Sequence, residues 1–131
     1  MLQRKESGTM AKVLVIEDDA HIWKMIEYKL KKEKHDLTWA CDGLKAMEAL
    51  KTMKPDLILS DIMVPYMDGL QILKKIKTND ALKDIPVIML TSKAQEKDVV
   101  KGLELGAHDY MTKPFSPAEL ILRVNKALKS N

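Results

Sequence analysis

Five short apolar runs alternate with amphipathic stretches along this chain, and this alternation restricts its fold more than any other feature. Each run is mainly aliphatic or β-branched and is bounded by charged or turn residues, which is typical of β-strands. The runs cover residues 13–16, 37–40, 57–59, 87–90 and 109–111. Strands that alternate with helices predict an α/β domain, in which helices cover both faces of a parallel sheet.

The stretches between the runs carry apolar residues at every third or fourth position, which indicates amphipathic helices. Ser116, followed by Pro117 and Glu119, is a signal for the start of the last helix. The repeating residues are Ile22, Ile26 and Leu30; Leu44, Met47 and Leu50; Leu70, Leu73 and Ile76; Val100 and Leu103; and Leu120, Val124 and Leu128.

The composition of the runs indicates which strands are central. The first, third and fourth runs are apolar throughout, as expected of strands buried on both faces, whereas the second and fifth are mixed, as expected of edge strands. A chain of 131 residues suits one domain. We predict that the domain covers residues 10–131 and that the polar residues 1–9 are a tag or leader before a natural start at Met10.

Several classes of protein are excluded by composition. The longest uncharged run, residues 85–92, has 8 residues, whereas a membrane-spanning helix needs about 20. Net charge is only +3, lysines are dispersed and aromatic residues make up 5%, so we expect neither a membrane partner nor direct contact with nucleic acid. The single cysteine, Cys41, excludes an internal disulfide and favours a cytoplasmic location.

Polar groups follow four of the apolar runs, and in a parallel sheet the carboxyl ends of the strands meet at one edge, where ligands bind. Convergent carboxylates repel one another unless a cation lies among them, and Mg2+ suits oxygen ligands beside a phosphate. Aspartate is a competent phosphoryl acceptor. Each group alone has an ordinary explanation as a cap or turn, but their coincidence at strand ends is hard to explain by chance. The groups are Glu17, Asp18, Asp19, Asp61, Thr91 and Lys113.

Other chemistries lack their motifs. The chain has no GxGxxG, GxxxxGK[ST] or GxSxG sequence. The three histidines, His21, His35 and His108, show no metal-ligand spacing, and we expect each to be a surface residue.

Five motifs together resemble the receiver domain of two-component response regulators, over about residues 11–129. They are VLVIEDD (13–19), ACDG (40–43), PDLILSDIMVPYMDG (55–69), PVIMLTS (86–92) and GAHDYMTKPFSPAEL (106–120). The resemblance implies a single three-layer, doubly wound (βα)5 domain of the flavodoxin-like type with strand order 2-1-3-4-5.

The resemblance also implies a role for each polar group. Asp61 would accept a phosphoryl group from a sensor histidine kinase or a phosphotransfer protein. Lys113, next to a cis peptide bond to Pro114, would hold a phosphoryl oxygen, and Thr91 and Tyr110 would be the switch residues. Asp19 would lie just outside the metal site. The implied Mg2+ ligands are Glu17, Asp18, Asp61 and the backbone carbonyl of Met63.

The segment KPFSPAELILRV (113–124) most resembles receivers that precede a winged-helix DNA-binding domain. Such receivers commonly form homodimers, when phosphorylated, through charged pairs on helix 4, strand 5 and helix 5. Val99 and His108 depart from that pattern. Both a stand-alone receiver and the receiver of a longer regulator fit this sequence. The residues that match the dimer pattern are Lys101, Glu104, Asp109 and Arg123.

Alternative functions differ at identifiable residues. A haloacid-dehalogenase-type phosphatase needs an aspartate two residues after its nucleophile, where this chain has Met63. A degenerate receiver that acts only as a binding module is opposed by the complete set of site residues. We therefore predict a signalling domain, rather than an enzyme, that assists its own phosphorylation and dephosphorylation. Met63 and Lys93 supply no base for hydrolysis, so we expect a long-lived phosphoryl group. Trp23 and Trp39 are either partner anchors or packing residues.

Overall fold

The computed structural model describes residues 11–92 and 96–129, so the predicted leader lies outside the described residues. The strands are β1 (Lys12–Ile16), β2 (Asp36–Ala40), β3 (Leu57–Asp61), β4 (Val87–Thr91) and β5 (Asp109–Thr112). The helices are α1 (Ala20–Lys32), α2 (Gly43–Thr52), α3 (Gly69–Lys77), α4 (Glu96–Glu104) and α5 (Pro117–Lys129). All strand pairs are parallel and the order is β2-β1-β3-β4-β5, which confirms the predicted flavodoxin-like topology.

The sheet separates two apolar layers because successive side chains of a strand point to opposite faces. In β1, Val13 and Val15 pack towards α1 and α5. Leu14 and Ile16 pack towards α2 and α3 on the other face. The central strands β1, β3 and β4 are buried along almost their whole length, as predicted from their continuous apolar runs.

Acidic and hydroxyl side chains fix where the helices begin. Asp19, Asp42 and Asp68 each accept backbone amide hydrogens at the start of α1, α2 and α3. The predicted cap of α5 is confirmed, because Ser116 Oγ accepts the amide of Glu119 at 3.0 Å. These caps satisfy amides that have no partner within their own helix.

Helix α4 buries a different side from the one that its apolar spacing indicates. Val100 is 58% exposed and Leu103 is 43% exposed. The helix instead approaches the sheet through Gly102, whose α-carbon faces Leu70 and Met89. A glycine allows close packing of a helix but adds no apolar side chain to the pattern, so the sequence spacing pointed to the wrong face. Leu44 at the start of α2 is likewise exposed.

The prediction that all three histidines lie on the surface is wrong for His35, which is 5% exposed. His35 directly precedes β2, and its amide donates to the carbonyl of Leu30 in α1. This hydrogen bond closes the turn that connects α1 to β2. No helix within the described ranges is long and apolar enough to cross a membrane.

Candidate functional site

The sheet register brings the polar strand ends to one edge. Ile16 pairs with Ser60, and Asp61 pairs with Leu90. Glu17 therefore lies beside the end of β3, and Thr91 lies one residue beyond the partner of Asp61. Glu17, Asp61 and Thr91 are all buried, so this edge contains polar side chains that have been removed from water.

An acidic cluster and one lysine form the centre of this edge. Glu17, Asp18 and Asp61 each offer a carboxylate oxygen, and these oxygens lie within 4.8 Å of one another. Lys113 Nζ lies 2.5 Å from Asp61 Oδ2 and 2.9 Å from Glu17 Oε1. The Lys113–Pro114 peptide bond is cis, which confirms the sequence prediction. The amide of Lys113 donates to the carbonyl of Thr91, which joins β5 to the end of β4.

Burial and the crowding of charges alter the proton affinity of the cluster. Burial, reinforced by the charge of Asp61 and opposed by the hydrogen bond from Lys113, raises the pKa of Glu17 to about 7. Burial lowers the pKa of Lys113, but hydrogen bonds to Asp61 and Glu17 outweigh it, so the pKa of Lys113 is raised overall. The lysine is therefore held in its charged form between two carboxylates.

The oxygen groups of this cluster fit a hard divalent cation. Glu17 Oε1 is buried, and Lys113 Nζ approaches it to 2.9 Å. Asp61 Oδ1 accepts the Met63 amide at 3.1 Å. Carboxylates with unused lone pairs at this spacing are the ligands that Mg2+ prefers.

The two predicted switch residues lie on neighbouring strands. Thr91 ends β4, and its Oγ1 donates to the carbonyl of Ser92 at 3.1 Å. Tyr110 lies on β5 opposite Met89, and its side chain is partly exposed. Lys93 lies outside the described residues.

The residues predicted to form an interface separate into two groups. Arg123 on α5 contacts Asp109 at 2.9 Å and Glu119 at 3.1 Å within the same chain. Lys101 and Glu104 lie exposed on α4. The structure thus pairs two of the four charges internally and leaves the other two on the α4 surface.

Sequence reasoning missed two residues that support the site. A Cβ at Gly69 would collide with the carbonyl oxygen of Asp61, so only glycine lets the loop after β3 close over the strand end. Gly69 is the last residue of the motif PDLILSDIMVPYMDG (55–69), but nothing in its spacing indicates this contact. Trp39 Nε1 donates to the backbone carbonyl of Glu17 at 2.7 Å, and no sequence pattern signals this contact between two strands.

Comparisons with known proteins agree with this geometry. A family model described as the response regulator receiver domain matches residues 13–125. PhoP, the alkaline phosphatase synthesis transcriptional regulatory protein of Bacillus subtilis (strain 168), is 43% identical over 118 residues, which are 90% of this chain and 48% of PhoP. The chain thus spans about half the length of this curated relative.

Solved structures give the same result. The Francisella response regulator 1452 receiver domain has a TM-score of 0.84 at 39% identity, covering 92% of this chain and 98% of that one. The chemotaxis response regulator CheY4 of Vibrio cholerae has a TM-score of 0.82 at 30% identity, covering 92% of this chain and 99% of the other. Since the family model spans most of the sequence and the fold is shared, this chain belongs to the response regulator receiver domain family.

Proposed function

We propose that this chain is a phosphorylation-controlled switch whose phosphoacceptor is Asp61 and whose donor is a sensor histidine kinase or a phosphotransfer protein. The observation that carries the proposal is the environment of Asp61. Its two carboxylate oxygens contact Lys113 Nζ at 2.5 Å and the Met63 amide at 3.1 Å, beside the other two acids of the cluster. These contacts orient the carboxylate and supply positive charge where phosphoryl oxygens would lie.

In the proposed reaction, a carboxylate oxygen of Asp61 attacks the phosphorus of a phosphohistidine. A P–O bond forms as the P–N bond breaks, and the leaving imidazole takes up a proton. Lys113 holds a phosphoryl oxygen, and the Thr91 hydroxyl turns to donate to another. Tyr110 then moves into the space that Thr91 leaves, which changes the surface formed by α4, β5 and α5.

The same proposal includes Mg2+, which would neutralise charge on the phosphoryl oxygens. The ligands would be Glu17, Asp18, Asp61 and the backbone carbonyl of Met63, with Asp19 outside the set. Asp19 is engaged as the cap of α1, since its Oδ1 accepts the amide of His21 at 2.8 Å. We expect Mg2+ to raise the thermal unfolding midpoint by mass action, and Asp18→Ala to reduce that rise more than Asp19→Ala. Equal reductions would contradict the ligand assignment.

The proposed interface is the α4–β5–α5 surface of the phosphorylated protein. Exposed apolar residues lie on all three elements: Val100 and Leu103 on α4, Tyr110 on β5 and Leu122 on α5. We expect sedimentation velocity to detect a homodimer after phosphorylation, and Leu122→Lys to weaken it. If the phosphorylated protein sedimented as a monomer, this part of the proposal would be wrong.

The proposal also gives the phosphoryl group a lifetime of minutes or more. Met63 is apolar and exposed, so it cannot orient a hydrolytic water. Lys93, at the second position predicted to line the approach to the phosphorus, is no base when charged. The test follows phosphoryl loss in Mg2+ buffer after donor removal, in the wild type and in Met63→Asn and Lys93→Gln. Decay within seconds, or no change in either variant, would contradict it.

The decisive experiment is intact mass spectrometry after incubation with acetyl phosphate and Mg2+. We expect one phosphoryl group on the wild type and none on Asp61→Asn, because the amide keeps the shape but cannot form the acyl phosphate. Circular dichroism should show the same fold in both proteins. Phosphorylation of the variant would refute the assignment of Asp61, and an unmodified wild type would instead favour the degenerate receiver.

A further inference from the structure

The indole of Trp39 is tied directly to the acidic cluster. Trp39 lies on the edge strand β2, and its Nε1 donates to the backbone carbonyl of Glu17 at 2.7 Å. Glu17 is the first residue after β1, and its amide donates to Ala40 at 3.1 Å. Both polar groups of the Glu17 backbone are therefore held by β2, one through the strand backbone and the other through a side chain.

A second tryptophan connects this indole to α1. The rings of Trp23 and Trp39 stack with centroids 5.2 Å apart and planes within 9° of parallel. Trp23 is buried, and its amide donates to the carbonyl of Asp19 at 3.0 Å. The amide of Asp19 donates in turn to Glu17 Oε2 at 3.0 Å. The four residues, Glu17, Asp19, Trp23 and Trp39, form a closed ring of contacts that holds both ends of the turn 17–19.

This ring opposes the repulsion within the cluster. Glu17, Asp18 and Asp61 are brought together at one strand edge, and their charges favour an open turn when no cation is bound. Trp39 holds the turn through the backbone carbonyl of Glu17, which leaves the Glu17 carboxylate unoccupied by this contact. A site held in its binding geometry beforehand loses less free energy to reorganisation when the ion binds.

We propose that Trp39 is a positioning residue, which holds the turn 17–19 so that Glu17 and Asp18 face Asp61 and thereby sets the affinity of the cluster for a divalent cation. The inference rests on the proposed function in one respect, that the acidic cluster is the cation site. It adds a residue that touches neither the ion nor the phosphoryl group.

The test is isothermal titration calorimetry with Mg2+ alone, on the full chain and well below the unfolding midpoint of each protein. Trp39→Phe keeps an aromatic ring to stack on Trp23 but removes the N–H. We expect Kd to rise by about three- to tenfold, the change that loss of one ordinary hydrogen bond produces. The matched control is Tyr28→Phe, which removes a polar group from an exposed aromatic residue of α1 and should leave Kd unchanged.

Thermal unfolding in EDTA separates positioning from simple stabilisation. A positioning role predicts a weaker Kd at a temperature where both proteins are fully folded, whatever the change in midpoint. An unchanged Kd, with or without a lower midpoint in EDTA, would overturn the inference and leave the proposed function intact. If the wild type bound no Mg2+, the cation site of the proposed function would itself be refuted and the inference with it.

Discussion

Both ends of the sheet bury ionisable side chains. The carboxyl end pairs them with an opposite charge, whereas the amino end leaves its histidine without such a partner among the described residues. At the carboxyl end, Glu17 and Asp61 share the ammonium of Lys113, at 2.9 and 2.5 Å. At the amino end, both ring nitrogens of His35 lack a hydrogen-bond partner among the residues that the structure describes. One end therefore keeps charge in its interior, whereas the other excludes it.

The pKa values of Lys113, Glu17 and His35 show the same difference between the two ends. At the carboxyl end, a raised pKa of Lys113 keeps the lysine charged, and the Glu17 pKa of about 7 leaves that carboxyl close to half-protonated near neutral pH. At the amino end, burial lowers the pKa of His35, although the charges of Glu33 and Asp56 oppose this. The neutral imidazole of His35 therefore fills space in the interior without carrying a charge. The paired charges cost free energy of desolvation, and the proposed chemistry is the reason to retain them.

Replacing Lys113, the cation that Glu17 and Asp61 share, should have the largest effect on the difference in stability between the two ends. Lys113→Met leaves two buried carboxylates facing each other, so the free energy of unfolding in EDTA at pH 8 should fall by about 3 kcal/mol. The loss should be smaller at pH 6, where Glu17 is mostly protonated. Urea denaturation at both pH values measures the free energy of unfolding. Lys83→Met is the control, because the Lys83–Asp80 ion pair is exposed and screened by water. Similar losses in both variants would contradict the expectation.

The titration of Glu17 should destabilise the metal-free protein as pH rises. Its pKa is raised from 4.5 to about 7 in the folded state, so the contribution is fully present below pH 4.5 and is lost as pH rises through 7. We expect the free energy of unfolding of the wild type in EDTA to fall by on the order of 3 kcal/mol over this range. Glu17→Gln should lack this pH-dependent loss. Parallel pH profiles of unfolding free energy for the two proteins would show that Glu17 is not the titrating group.

His35 should give a pH dependence of the opposite sign. Because its pKa is lowered from 6.5, the unfolded state binds the proton more readily, and stability is lost as pH falls below 6.5. The loss is limited to about 1.4 kcal/mol per pH unit for one proton. The free energy of unfolding of His35→Leu, measured with urea at several pH values, should lack this loss at low pH. His21→Gln, at an exposed position, is the control for removal of a histidine. A His35→Leu profile identical to that of the wild type would refute the assignment.

The smallest expected effects concern backbone strain, which the two ends share. Lys34, before β2, has φ of 66°, and Tyr66, in the loop after β3, has φ of 72°. Glycine relieves about 1–2 kcal/mol of left-handed strain but adds unfolded-state entropy, so Lys34→Gly and Tyr66→Gly should each gain at most about 1 kcal/mol. Lys29→Gly within α1 should lose about 1 kcal/mol. Thermal midpoints compare the three, and a loss in either loop variant would contradict the strain argument.

The sequence was least informative where a side chain depends on a distant neighbour. His35 is a polar residue in a short connection, and nothing near it in sequence indicates that it is buried. Val100 and Leu103 have helical spacing, but the approach of α4 through Gly102 determines which side is buried. The tie from Trp39 to Glu17 joins residues that are distant in sequence, and it exists only because β2 lies beside β1.

The sequence by itself determined the five strands, their central or edge positions and the strand ends that carry Glu17, Asp61, Thr91 and Lys113. Those properties follow from local apolar patterns and from the rule that parallel strands end at one edge. Only the tertiary structure decided which charges meet. The Lys113 ion pairs, the ring around the turn 17–19 and the isolation of His35 depend on distances of a few ångströms between elements. Coulombic and desolvation energies change steeply over such distances, whereas the apolar pattern of a segment is unaffected by them.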